Sequence, residues 1–183
     1  MSRVRALGAT VMLAAVAATA VACSAAKASP TGAQTAPQSA PGLEIAAQVK
    51  VPDGNRLVST MDAQGVQVYQ CTAGAWKLLE PAATLTEKGK TVALHSRGPV
   101  WVSTVDGSAV NASAVPGASA PRPNAVPAVL LKATATRGDG VFGKVTYVQR
   151  LNTEGGAAPA GACTGEAQMA VPYTAVYAFY TAA

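Results

Sequence analysis

Aromatic side chains make up only 5% of this 183-residue chain and charged ones 13%, and there is a single histidine and just three cysteines. Each scarcity excludes something. One imidazole, His95, rules out any site that needs two and leaves a conventional zinc centre without its usual ligands. No Gly-x-Gly-x-x-Gly opens a helix, so a nicotinamide-binding crossover has no place, and no Gly-x-Ser-x-Gly nucleophile elbow occurs. The carboxylates, among them Asp53, Asp62, Glu80, Glu87, Asp139, Glu154 and Glu166, stand singly in turn-like contexts without the close pair that glycosidases use. Lysines and arginines are scattered rather than clustered, so nucleic acid is not an expected partner. No cofactor and no metal are expected, and the length is too short for two full domains.

What is present is a composition that is half hydrophobic and leans on Ala and Val, which is globular rather than disordered. Arg3 and Arg5 precede an apolar run over residues 6–22, the basic and hydrophobic regions of an export signal. That run is interrupted by Gly8, Thr10 and Thr19 and falls short of the ~20 strongly apolar residues of a spanning helix. Thr19-Ala20-Val21-Ala22-Cys23 is similar to a bacterial lipobox, while Ala26-Lys27-Ala28 offers an ordinary cleavage site for a secreted form. Lipidation of Cys23 is preferred, because it removes the odd cysteine from an exported chain and leaves Cys71 and Cys163 as a disulfide pair. Loss of residues 1–22 lowers the formal charge from +5 to +3. The expected organisation is a lipoprotein-type signal over 1–22, an Ala/Ser/Pro-rich linker over 23–42 and a folded domain over 43–183, anchored in the membrane on its outer side.

Past the linker a two-residue period recurs. Leu43, Ile45, Ala47 and Val49 fall on one face of an expected strand, and Pro52-Asp53-Gly54-Asn55 forces a turn. Val66 and Val68 oppose Tyr69 and Cys71, so both faces there are covered. Val92 and Leu94 oppose Ala93 and His95, and Trp101 and Val105 oppose Val100 and Val102. Val145, Tyr147 and Leu151 oppose Lys144, Thr146, Arg150 and Asn152, read as apolar inward and polar outward. Tyr173, Ala175, Tyr177 and Phe179 share a face near the C-terminus, and residues 130–136 are better filled by a strand than a helix. The Pro- and Ala-rich stretch between Val110 and Val126 reads as a long loop. The fold class is therefore all-β: one compact β-sandwich or barrel-like domain with one disulfide, after a signal peptide and flexible linker.

Chemistry-bearing residues are few. His95, Asp106 and Ser108 can be written as a hydrolase triad, with Ser108 as nucleophile and Asp106 orienting the ring, although Asp106-Gly107-Ser108 also fits a hairpin turn. Asn152-Thr153-Glu154-Gly155-Gly156 beside Arg150 offers an anion-binding nest or simply a tight turn, which makes Arg150 and Asn152 binding candidates. Trp76 and Trp101 line a pocket with Tyr69 or Tyr147, or else form the core of an aromatic-poor domain.

Four ordered blocks resemble the DUF3455 family: Gly65-Val66-Gln67-Val68-Tyr69-Gln70-Cys71; His95-Ser96-Arg97-Gly98-Pro99-Val100-Trp101 with Asp106-Gly107-Ser108; Gln149-Arg150-Leu151-Asn152-Thr153-Glu154-Gly155-Gly156 with Pro159 and Cys163; and Val171-Pro172-Tyr173 onward to Tyr180. The resemblance runs from about Leu43 to Tyr180. It implies an exported domain of bacteria and fungi, supports the pairing of Cys71 with Cys163, draws attention to His95, Trp101 and Asp106, and supplies no reaction. Ala128 stands where the family tends to carry Trp, so a pocket lined by that Trp is expected to be altered here. The leading expectation is a binding or structural module of the cell envelope, its partners the membrane through the lipid anchor and an unidentified small molecule or envelope component. The alternative is a small secreted hydrolase using His95, Asp106 and Ser108.

Overall fold

The computed structural model describes residues 42, 43 and 45–183. The signal segment, Cys23 and the linker up to residue 41 lie outside the described residues. A 3-10 turn, Ala47–Val49, is followed by eight strands: β1 (Asn55–Thr72), β2 (Ala75–Glu87), β3 (Lys90–Ser96), β4 (Val100–Ser103), β5 (Ala109–Arg122), β6 (Ala125–Arg137), β7 (Val145–Gly155) and β8 (Gln168–Ala182). Each strand pairs antiparallel with the next, and β8 pairs back onto β1 from Asn55↔Ala182 to Gln70↔Gln168. That last pairing decides between the two expected architectures: the sheet is a closed barrel, which leaves no unpaired edge.

Two apolar clusters sit on opposite faces of this single sheet. The interior holds Met61, Ala63, Leu85, Ala93, Trp101, Val110, Leu131, Val148, Tyr177 and Phe179 among others. Small residues allow the tight curvature, as at Gly65, where a Cβ would stand 2.1 Å from the Ala82 carbonyl oxygen of the paired strand. The second cluster, with Ala118, Ala120, Ala128, Leu130, Leu151, Ala178 and Tyr180, lies on the outer face under Val49 and Val51.

This outer cluster accounts for the first correction. The alternating residues Leu43, Ile45, Ala47 and Val49 do not form a strand; the segment becomes a 3-10 turn strapped over the barrel wall. A closed sheet has no edge left to take another strand. The strap is tied by Gln149, whose Nε2 donates to the Val49 carbonyl at 2.6 Å while its Oε1 accepts from the Tyr180 hydroxyl at 2.8 Å. The second correction concerns the Pro- and Ala-rich stretch, which is β5 rather than a loop. Its register slips between Ala114 and Ser119, so that Pro116 and Gly117 fall in a bulge where a missing N–H costs no ladder bond.

The connections alternate between the two ends of the barrel. One end carries the β1–β2, β3–β4, β5–β6 and β7–β8 connections; the other carries β2–β3, β4–β5 and β6–β7. At the second end Phe142, fully buried in the β6–β7 connection, packs on Phe179 with ring centroids 4.7 Å apart. At the first end the Cys71–Cys163 disulfide, Cα atoms 5.7 Å apart, ties the long β7–β8 connection to β1.

Candidate functional site

Strand lengths create the site. β3 and β4 have only seven and four residues, while β1 and β2 have 18 and 13, so the barrel wall is low on one side. Behind that low wall the interior is not filled. A cavity of about 70 Å³ is lined by Gln67, His95, Trp101, Arg150 and Tyr177 together with the apolar Leu78, Pro81, Pro99, Val129 and Leu131. A water needs ~10–15 Å³ of such space, so the cavity admits roughly five water-sized groups. The Arg97–Glu80 ion pair, 3.2 Å, links the β3–β4 connection to β2 beside the mouth.

Arg150 is the residue that sequence parity placed outside. In β7 it pairs with Val129 on one side and Tyr177 on the other, and it shares Tyr177's inward face. The expected outward face of this strand is thus wrong at Arg150, while Tyr147 and Leu151 turn to the outer cluster. The reason is that β7 is covered on both sides, by the barrel interior and by the strap, so polarity does not report direction. The Arg150 Nε donates to the Pro127 carbonyl at 3.2 Å. Among the described residues the one ion pair is Arg97–Glu80, so no carboxylate neutralises Arg150.

Around that charge stand polar groups without partners. Gln67 is 1% exposed and Trp101 fully buried, yet neither Gln67 amide atom nor the Trp101 Nε1 makes a hydrogen bond of ordinary geometry among the described residues. The Gln67 amide still lies near enough to the Tyr173 hydroxyl to favour its phenolate, one of the smaller influences there. Unpaired buried polar atoms cost about 1–3 kcal/mol each, so three of them on two side chains of one cavity wall mark a place built for something other than packing. Gly156 keeps Gln67 in place, because a Cβ there would meet the Tyr173 Cβ at 2.8 Å and the Gln67 Cγ at 3.0 Å. The Tyr69 hydroxyl donates to the Gly156 carbonyl at 2.7 Å and closes the adjoining end.

His95 stacks on Trp101 and its Nδ1 lies 2.9 Å from the Val100 carbonyl oxygen. Burial, helped by the nearby Arg150 charge and opposed by the Val100 bond, lowers its pKa from 6.5 to about 4. The ring is therefore neutral at pH 7. Burial raises the pKa values of Tyr173 and Tyr177, so both phenols stay protonated there, and their hydroxyls lie 3.4 Å apart.

The other candidates lie elsewhere. Asp106 and Ser108 sit in the β4–β5 connection, at the opposite end of β4 from the β3–β4 connection that follows His95. The structure joins them to each other and to the β6–β7 connection instead. Ser108 Oγ donates to Asp106 Oδ1 at 2.6 Å and accepts from the Phe142 N–H at 3.0 Å, and Asp106 Oδ2 accepts from the Val141 N–H at 3.0 Å. The Ser108 hydroxyl is the largest of the hydrogen bonds that hold the Asp106 carboxyl well below the usual carboxylate range. Asn152 projects from the outer face, at φ 46°, beside Asp62, Gln64, Thr84, Thr86 and Thr174. The expected nest is not open, since the Gly156 N–H already donates to the Pro172 carbonyl at 2.8 Å. Ala128 belongs to the outer cluster, so the position that the family tends to fill with Trp does not line this cavity.

Fold and site together define a closed eight-stranded β barrel with a small, positively charged interior cavity open on its low side. The chain belongs to the DUF3455 family, described as proteins of unknown function, whose model matches residues 52–181. No curated protein and no solved structure matches it. Of the residues that line the cavity, the sequence singles out His95, Trp101 and Arg150 as candidates, whereas Gln67 and Tyr177 carry no such mark. The signal for Gln67 was parity: it shares a face with Tyr69 and Cys71, both buried.

Proposed function

We propose that the protein is an exported, lipid-anchored binding module of the cell envelope, holding a small molecule in the barrel cavity. The observation that carries this reading is the group of unpartnered buried atoms on Gln67 and Trp101 beside the unneutralised Arg150. Such groups are kept in a fold at a cost in stability, and a ligand that pairs with them removes the cost. Anchoring rests on the lipobox-like run ending in Cys23 and on the Ala/Ser/Pro-rich tether after it. No observation favours the hydrolase alternative, because Ser108 is committed to Asp106 and Phe142.

The test is mass spectrometry of the protein recovered under native conditions from its own envelope. The expected spectrum shows a diacylglyceryl-sized excess on a chain beginning at Cys23, the two-dalton loss of one disulfide, and a further mass released on denaturation. A bare chain beginning at Ser29 overturns the anchor, and a protein that releases nothing and takes up nothing from an envelope extract overturns the binding function.

A further inference from the structure

The polar atoms of the cavity are not interchangeable. A carbonyl oxygen can only accept, so the 2.9 Å contact with Val100 fixes the proton on His95 Nδ1 and leaves Nε2 with a lone pair. Trp101 Nε1 can only donate, and Arg150 carries a permanent charge and five N–H groups, of which the Nε–H is taken by Pro127 and another lies near enough to the Tyr177 hydroxyl to favour its phenolate, leaving the rest of the fork for a ligand. Gln67 offers both a donor and an acceptor. Donors therefore predominate around one fixed cation, and the rest of the lining, Leu78, Pro81, Val129 and Leu131, is apolar.

A metal cation is repelled by Arg150, and no group of three potential metal ligands occurs among the described residues. A neutral apolar molecule leaves Gln67 and Trp101 as unpaired as before. An organic carboxylate meets both requirements, since its oxygens match the guanidinium fork and the neighbouring N–H groups while its chain covers the apolar lining. Resting on the binding function proposed for this cavity, we infer that its ligand is a small organic monocarboxylate, anchored on Arg150, Gln67 and Trp101, with a short apolar chain against Val129 and Leu131. About 70 Å³ limits that ligand to roughly five or six non-hydrogen atoms, the size of butyrate.

The experiment follows the two indole N–H resonances of the 15N-labelled protein while sodium butyrate, butyramide or inorganic phosphate is added. Trp101 lines the cavity and Trp76 does not, so Trp76 serves as the internal control, assigned with Trp76→Phe. The expected result is a saturable shift of the Trp101 signal by butyrate, with butyramide and phosphate each at least ten-fold weaker. Arg150→Gln weakens butyrate about ten-fold or more, and Arg150→Lys restores part of the loss. Equal binding of butyramide overturns the carboxylate and leaves the binding function standing. Equal binding of phosphate overturns the role of the apolar chain. A Trp101 signal unmoved by all three overturns the carboxylate, and the envelope-derived protein then decides the binding function separately by whether it releases a molecule. The three probes on the unaltered protein keep the test decisive if Arg150→Gln does not fold.

Discussion

The His95 and Trp101 rings lie face to face, centroids 4.3 Å apart and planes within 1° of parallel, and Tyr177 meets both edge-on. The stack puts a titratable ring in a buried part of the cavity wall. His95 is neutral in the folded protein down to about pH 4 but protonates at 6.5 when unfolded. Between these values the unfolded chain binds the extra proton, so stability is at its full value above pH 6.5 and falls as the pH drops through the window. The loss approaches roughly 3 kcal/mol by pH 4. Thermal melts from pH 7.5 to 4.5 should show a decline that His95→Gln flattens, since this is the chain's one histidine. A parent protein as flat as the variant refutes the buried neutral ring.

Cys71 and Cys163 are 92 residues apart, and the bridge also draws in its surroundings: Cys71 N–H donates to the Ala167 carbonyl at 2.8 Å and Cys163 N–H to Gly74 at 3.2 Å. Closing a loop of that length is worth about 4 to 5 kcal/mol in the chain-entropy model. Cys71→Ser, Cys163→Ser and the double variant should lose equal stability in urea, and a reductant should bring the parent to the same midpoint. Insensitivity of the parent to reductant would count against the bridge.

Much of this fold was legible in the residues, and the gaps have physical causes. The two-residue period marks β1, β3, β4, β7 and β8 because each has at least one covered face, and β6 is legible only from the length that Pro127 and Gly138 frame. At β5 the pattern failed because alanine carries little contrast: Ala112, Ala118 and Ala120 are buried and Ala114 is exposed in the same strand. In β3 hydrophobicity points the wrong way, with His95 inside and Leu94 47% exposed. The site was half legible for the same reason. Arg150 and Gln67 face inward among apolar neighbours, and a period that equates polar with outward reverses them.

Ser108 holds two connections together at the end of the barrel opposite the cavity. Replacing it with Ala removes the donor to Asp106 and leaves the buried Phe142 N–H without its acceptor. The expected cost is about 1–3 kcal/mol, with faster amide exchange at Val141 and Phe142. The depressed Asp106 pKa adds a pH dependence of its own: its contribution is present above the unfolded value of 3.8 and is lost as the pH falls through the lower folded value. Butyrate binding should be unchanged in Ser108→Ala. Loss of binding without loss of stability would move Ser108 from a structural part to a functional one.

The strap over the outer face makes a prediction that separates the two sides of the sheet. Val49 and Val51 are buried against Leu130, Leu151 and Tyr180, and the match to the family model begins only at residue 52. A chain starting at Pro52 loses both valines, each worth ~1.5–3 kcal/mol when fully buried, and leaves the Gln149 amide nitrogen without the Val49 carbonyl. Its urea midpoint should fall by an amount corresponding to about 3–6 kcal/mol, and its exposed apolar wall should bind a hydrophobic dye that the longer chain does not. The cavity lies on the other face of the same strands, where Arg150 alternates with Leu151. At temperatures where the shorter chain stays folded, the Trp101 response to butyrate should therefore persist. An unchanged urea midpoint would show that the strap contributes nothing, and a lost response in a folded chain would show that the two faces are coupled through β7.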